Sequence, residues 1–133
     1  MPSATITHIA GTSFDATSGS GHTIRIDGGT HEDGPGPMEL VLAALGSCSA
    51  VTVVEFLQKM RQPLTSLEVE VTGERAETSP KVYTRIHIRY LVGGECDEGR
   101  VERAINLTES KYCSVYTMLD ASVEMSHTIE YVD

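Results

Sequence analysis

Basic runs are missing from this sequence. Ten Lys and Arg stand against nineteen Asp and Glu, for a formal net charge of −9, and nowhere do the positive residues gather. Binding to DNA, RNA or an anionic membrane surface depends mainly on clustered positive charge, so neither nucleic acid nor membrane is an expected partner. The acidic balance favours solubility and carries no information about fold. A long hydrophobic run is also lacking. The longest charge-free apolar segment, Leu40 to Val54, is shorter than the about 20 residues that cross a bilayer, and it reads as a buried core helix. Residues 1–8 show neither the basic opening nor the apolar stretch of a secretory signal. The expected location is the cytoplasm.

Cys-x-x-Cys and His-x-x-x-His do not occur, which removes zinc-finger and thioredoxin-type readings. Three cysteines, Cys48, Cys96 and Cys113, do not make a disulfide framework. In a reducing compartment a cysteine pair is more often catalytic, redox-active or metal-binding. The five histidines, His8, His22, His31, His87 and His127, fall in separate elements without ligand spacing. No metal and no cofactor is expected, and His127 reads as a hydrogen-bonded core residue.

What is present is a globular composition, 40% apolar and 22% charged over 133 residues, without repeat or linker. That fits a single domain, 1–133, large enough to bury a core without disulfide staples. Thr5 to Ile9 and Thr23 to Ile26 are short strand candidates, and Ser13 to Gly21 between them holds either a turn or a third strand. Pro37 suits the first position of a helix. Met38, Val41, Leu42, Leu45, Cys48, Ser49 and Thr52 then recur at helical spacing in a segment apolar nearly all round, predicting a central buried helix to about Met60, ended by Pro63. Leu67, Val69 and Val71 alternate with Glu68, Glu70 and Thr72, and Val82, Thr84, Ile86, Ile88 and Tyr90 alternate with Tyr83, Arg85, His87 and Arg89. These predict paired strands, with Glu68 and Glu70 able to face Arg85 and Arg89. Gly93-Gly94 breaks the pattern. Asp97 or Glu98 to Ser110 reads as a second helix with Val101, Ala104 and Ile105 inward, Ser114 to Asp120 as a third, and Val123 to Tyr131 as a last strand. The fold class is α+β with largely antiparallel sheet.

Cys48 lies inside the long helix among small neighbours, Gly46, Ser47, Ser49 and Ala50. It reads either as a packed small hydrophobe or as a thiol with open space beside it for a narrow substrate. Cys113 stands just before the third helix, where backbone N–H groups and the helix dipole stabilise a thiolate; the alternative is a cysteine that merely ends a turn. Cys96 sits among Glu95, Asp97 and Glu98, carboxylates that raise a thiol pKa, and no function is assigned to it.

The stretch Gly36-Pro37-Met38-Glu39-Leu40-Val41-Leu42-Ala43-Ala44-Leu45-Gly46-Ser47-Cys48 resembles the OsmC/Ohr signature, in which Asn-Pro-Glu opens the central helix ahead of a cysteine. Lys111-Tyr112-Cys113-Ser114-Val115 resembles the segment bearing the family's second cysteine. Met38 to Pro63, Glu109 to Leu119 and the terminal strand are most similar to the YhfA-like subgroup. The resemblance implies an intertwined homodimer with its active sites at the subunit interface. It also implies a thiol peroxidase. The cysteine matching Cys48 attacks a hydroperoxide and becomes a sulfenic acid, the one matching Cys113 condenses with it to a disulfide, and an external dithiol reduces the pair. An arginine stabilises the thiolate, and Thr23-Ile24-Arg25-Ile26-Asp27-Gly28 resembles the strand presenting it, which makes Arg25 the candidate. Met38 stands where the peroxidases carry the glutamate that clamps this arginine. Glu39, about 100° further round the helix, reads as a first-turn carboxylate complementing the helix dipole. The implied function is reduction of hydroperoxides, organic ones preferred, with activity below that of a full-motif member. The alternative is a non-catalytic or weakly active dimer holding a small apolar ligand.

Overall fold

The computed structural model describes residues 1–133. Their elements are β1 (Ala4–Ala10), β2 (Ser13–Ser18), β3 (Thr23–Asp27), α1 (Pro37–Lys59), β4 (Leu64–Arg75), β5 (Tyr83–Gly94), α2 (Glu98–Leu107), α3 (Ser114–Asp120) and β6 (Glu124–Val132), with a five-residue π-helical turn, Thr108–Tyr112, between α2 and α3. Two three-stranded sheets and three helices make the α+β architecture that the sequence predicts. The chain resolves into two compact units, Met1–Val41 and Leu42–Asp133.

In the first unit, β1, β2 and β3 form an antiparallel meander. The polar segment after Gly11 is therefore a strand followed by a turn, and Gly11 (φ +55°) and Gly21 (φ +91°) supply the left-handed conformations its two connections need. Past β3 the chain is organised by Asp27, which is 2% exposed. Its carboxylate accepts from the hydroxyls of Thr12 and Thr30, both at 2.7 Å, and from the Gly29 N–H at 3.0 Å. Pro37 opens α1 as expected, and Glu39 Oε1 accepts the Gly36 N–H at 3.0 Å. Glu39 thus serves the helix start.

The second unit carries the sheet β4-β5-β6. β4 and β5 pair antiparallel, whereas β5 and β6 pair parallel, because α2 and α3 carry the chain back to the same end of the sheet. On α1, Leu45, Gly46, Ser49, Val53 and Leu57 are buried. Ala43, Ala44, Ser47 and Val51 on other faces of the same helix are exposed in the single chain. A Cβ on Gly46 would sit 3.0 Å from Val71 Cγ2, so a glycine here lets α1 lie close on β4. By length and composition alone α1 could also cross a membrane, a property shared by core helices of its type.

Two local expectations change. Alternation places Val82 and Thr84 inward with Ile86, yet Tyr83 is buried and Val82 exposed. Glu74 pairs with Arg85 and Arg75 with Tyr83, leaving Thr84 without an opposite residue. Such a bulge inverts the facing of everything beyond it. Gly93-Gly94 ends β5 as expected, Gly94 taking φ +104° while paired with Leu64. On the polar face Arg89 binds Glu70 and Glu130 as a cross-strand ion pair, but Arg85 meets Glu124 at 2.8 Å and Glu74 at 3.9 Å rather than Glu68, since Glu68 stands opposite Leu91 in the register.

Candidate redox site around Cys48 and Cys113

Cys48 occupies the middle of α1 beside the start of α3, and the Cys48 and Cys113 thiols are hydrogen-bonded to one another, both free. The two residues, 65 positions apart in sequence, meet because α1 and the π-helical turn pack within the same unit. Cys113 is fully buried and Cys48 partly exposed. Both sulfurs receive N–H groups from the start of α3, as expected for Cys113 and in addition for Cys48. The N–H groups at the start of α3, Val115 and Ser114, donate to Cys48, whereas Cys113 caps α3 by accepting the Tyr116 N–H at 3.4 Å.

The chemistry follows from this division. Burial pushes the Cys48 thiol up, but the donated Val115 N–H, the Cys113 thiol and the Ser114 N–H more than offset it, holding Cys48 below the ordinary thiol range. Cys113 is pushed up, first by burial and then by Cys48 itself, against the opposing bonds from Ser49 and the Tyr116 N–H. The pair therefore consists of one accessible sulfur biased toward thiolate and one enclosed sulfur biased toward thiol.

A polar cluster that the sequence reading did not assemble lies behind Cys113. The Ser49 hydroxyl is 3.5 Å from Cys113 Sγ and also hydrogen-bonds Tyr90. The Tyr90 hydroxyl donates to Glu109 Oε2 at 2.9 Å, and His127 Nδ1 lies 2.7 Å from Glu109 Oε1. Tyr116 bonds the same carboxylate, and its own hydroxyl is pushed up to about 12, by burial and then by Glu109. Glu109 belongs to the π-helical turn, where the Cys113 N–H closes onto the Thr108 carbonyl at 2.8 Å. The extra residue per turn sets Glu109 at this position. His127 is hydrogen-bonded as expected. No spacing rule links positions 49, 90, 109 and 127, so only packing reveals the cluster.

Arg25 stands on β3 in the first unit, with its Nε 2.6 Å from Asp15 Oδ1 on the neighbouring strand. Cys96 is pushed up by burial. Two of the concavities in the second unit lie along α1. One, about 320 Å³, lies between α1 and β4 among Leu42, Ala43, Gly46, Ser47, Ala50, Leu67, Val69 and Val71. The other, about 150 Å³, is lined by Thr52, Glu55, Phe56, Lys59 and Tyr112. It starts one helical turn beyond Cys48 and adjoins Cys113 through Tyr112, whose ring meets Phe56 edge-on at 5.2 Å.

A mixed fold with one cysteine in the long helix and a second at the head of a late helix defines a class of small thiol-bearing proteins. The family model described as OsmC-like protein matches residues 29–128. Protein YhfA of Escherichia coli strain K12 is 42% identical over 130 residues, 97% of each chain. A hypothetical protein of Aquifex aeolicus VF5 superposes with a TM-score of 0.87 at 31% identity, covering 100% of this chain and 98% of the other. An organic hydroperoxide resistance protein of Elizabethkingia anophelis shares the fold, with a TM-score of 0.74 at 14% identity over 99% and 96% of the two chains. The chain belongs to the OsmC family.

Proposed function

We propose that this protein is a cysteine-based thiol peroxidase that reduces hydroperoxides, organic ones preferentially. The observation that carries the reading is the partly exposed Cys48, held below the ordinary thiol range and hydrogen-bonded to the enclosed Cys113. The Cys48 thiolate attacks the terminal peroxide oxygen. The O–O bond breaks, an alcohol or water leaves after taking up a proton, and Cys48 becomes a sulfenic acid. Cys113 then attacks the sulfenic sulfur, the S–S bond forms, and water leaves. An external dithiol reduces the disulfide by exchange. Phe56 and Tyr112 beside the pair give an organic substituent an apolar surface. Arg25 is proposed as the cation that stabilises the thiolate, with Met38 in place of the clamping glutamate lowering its effect. Residues 1–133 are read as one OsmC-like domain acting as a cytoplasmic homodimer, without cofactor, nucleic acid or membrane partner. The exposed apolar residues of α1 support the dimer, and the full-length match to relatives supports the single domain.

The apolar groove between α1 and β4 favours a second reading, a dimer that holds a small apolar ligand with little or no turnover. Exposure to one equivalent of an organic hydroperoxide separates the two. The peroxidase forms a Cys48–Cys113 disulfide, detectable by peptide mass spectrometry. Cys48→Ser consumes no peroxide, and Cys113→Ser consumes one equivalent and stops at a trappable sulfenic acid. Thiols that stay reduced while a reactive control is consumed rule the peroxidase out.

A further inference from the structure

The resolving step presents a physical problem. Cys113 must deliver a thiolate, yet it is fully buried and pushed toward the protonated form. A buried thiol loses its proton quickly only if a hydrogen-bonded acceptor is already in place. Cys113 faces Cys48, the Ser49 hydroxyl and the Tyr116 N–H. Of these, Ser49 alone both accepts and donates and leads away from the reacting sulfurs.

From Ser49 the polar contacts lead on toward solvent. Ser49 bonds Tyr90, the Tyr90 hydroxyl donates to Glu109, and Glu109 holds His127, whose side chain is 27% exposed. Ser49 and Tyr90 are each fully buried, and the Glu109 side chain is 10% exposed. Elsewhere in a core, so many polar groups carry a cost unless each is paired. Here each is paired in series, from the enclosed sulfur toward solvent.

We propose that Ser49, Tyr90 and Glu109 form a proton relay that deprotonates Cys113 during disulfide formation, with His127 orienting the carboxylate and passing the proton outward. The inference rests on the peroxidase reading. In the resting pair the Ser49 hydroxyl donates to Cys113 Sγ and the Cys113 thiol to Cys48. Once Cys48 is a sulfenic acid, the Ser49 hydroxyl turns to Tyr90 Oη, Cys113 S–H donates to Ser49 Oγ, and Tyr90 donates to Glu109 Oε2. As the Cys113 electron pair forms the bond to the Cys48 sulfenic sulfur, each proton moves one place and Glu109 becomes the acid. The S–O bond of Cys48 breaks, and its hydroxide takes a proton from the open side of Cys48 and leaves as water. Glu109 returns its proton to solvent through His127, so no net proton is gained or lost. Ser49 touches the reacting sulfur and is the catalytic member; Tyr90, Glu109 and His127 act through it.

The test resolves the two chemical steps in Tyr90→Phe and Ser49→Ala. Sulfenic acid formation on Cys48 is followed by rapid trapping after one equivalent of an organic hydroperoxide, and disulfide formation by quenched alkylation and mass spectrometry. Expected is sulfenic acid formation within twofold of wild type and a disulfide step slowed about 10-fold or more, the lower part of the range for positioned acid–base groups. The deficit shrinks as pH rises toward the Cys113 pKa, where hydroxide replaces the relay. The titratable groups facing Glu109 are Tyr90, Tyr116 and His127. A disulfide step at the wild-type rate in both variants, or one whose deficit is independent of pH, overturns the relay and leaves the peroxidase intact. Absence of sulfenic acid in wild type overturns both.

Discussion

Cys113 carries two duties on one sulfur, since it accepts the Tyr116 N–H that caps α3 and faces Cys48. Serine is a good N-cap and alanine a poor one. Cys113→Ser should therefore keep near-wild-type stability while blocking the disulfide, whereas Cys113→Ala should lose about 1 kcal/mol in urea denaturation. Cys48 should be alkylated by iodoacetamide with a midpoint below the about 8.5 of a free thiol, because Val115 and Ser114 donate to it; a rate profile at or above that midpoint contradicts the assignment. Asp27 gives a different pH signature. Hydrogen bonds from the Thr12 and Thr30 hydroxyls and the Gly29 N–H hold its folded carboxyl well below the ordinary carboxylate range. That contribution is present in full above the unfolded pKa of about 3.9 and fades as pH falls through it toward the folded value. Asp27→Asn should lower Tm at pH 7, and the gap from wild type should narrow between pH 4 and pH 2.

Among the elements, all three helices were legible as segments and α2 by its inward face, because a helix repeats every 3.6 residues. Helix α1, apolar nearly all round, reads as buried throughout, whereas in the single chain only its Leu45, Gly46, Ser49, Val53 and Leu57 are buried. In α2, Val101, Ala104 and Ile105 are all fully buried, as the helical period requires. Strand facing in β5 was legible from Ile86 onward but not before Thr84, because a bulge depends on pairing with β4 rather than on β5 alone. The π-helical turn has no signal in Thr108-Glu109-Ser110-Lys111-Tyr112, and it appeared at the sequence level only as the tail of α2. The β4–β5 ladder ends at Gly94, where φ is +104° and a Cβ would lie 2.2 Å from the Pro63 carbonyl oxygen. A side chain there meets rigid backbone as well as a disfavoured dihedral. Gly94→Ala should cost at least about 1–3 kcal/mol, measured by chemical denaturation; a change under a few tenths shows that the backbone there relaxes freely.

At the scale of the whole molecule, the unusual feature is a long apolar helix with only one face covered. Val51 is 58% exposed, and Ala43 and Ser47 line an open apolar groove. Exposed apolar surface of this kind marks an interface, in keeping with the proposed dimer. Val51→Glu together with Ala43→Glu should convert the dimer to monomer in sedimentation velocity while leaving the helical signal in circular dichroism unchanged. A wild-type protein that sediments as a monomer at micromolar concentration removes the dimer from the proposal.

The sequence by itself determined the element order, the inward face of α2, the two cysteine-bearing segments and the likeness to the OsmC/Ohr family, all of which depend on local periodicity or contiguous motifs. Tertiary structure decided that the N–H groups of α3 serve Cys48 as well as Cys113, and that Cys48 is the thiol held low and Cys113 the one pushed up. It also decided that Ser49, Tyr90, Glu109 and His127 meet behind Cys113. Both outcomes depend on contacts between residues far apart in the chain, and a hydrogen bond is fixed by distance and direction in space, which sequence spacing does not encode.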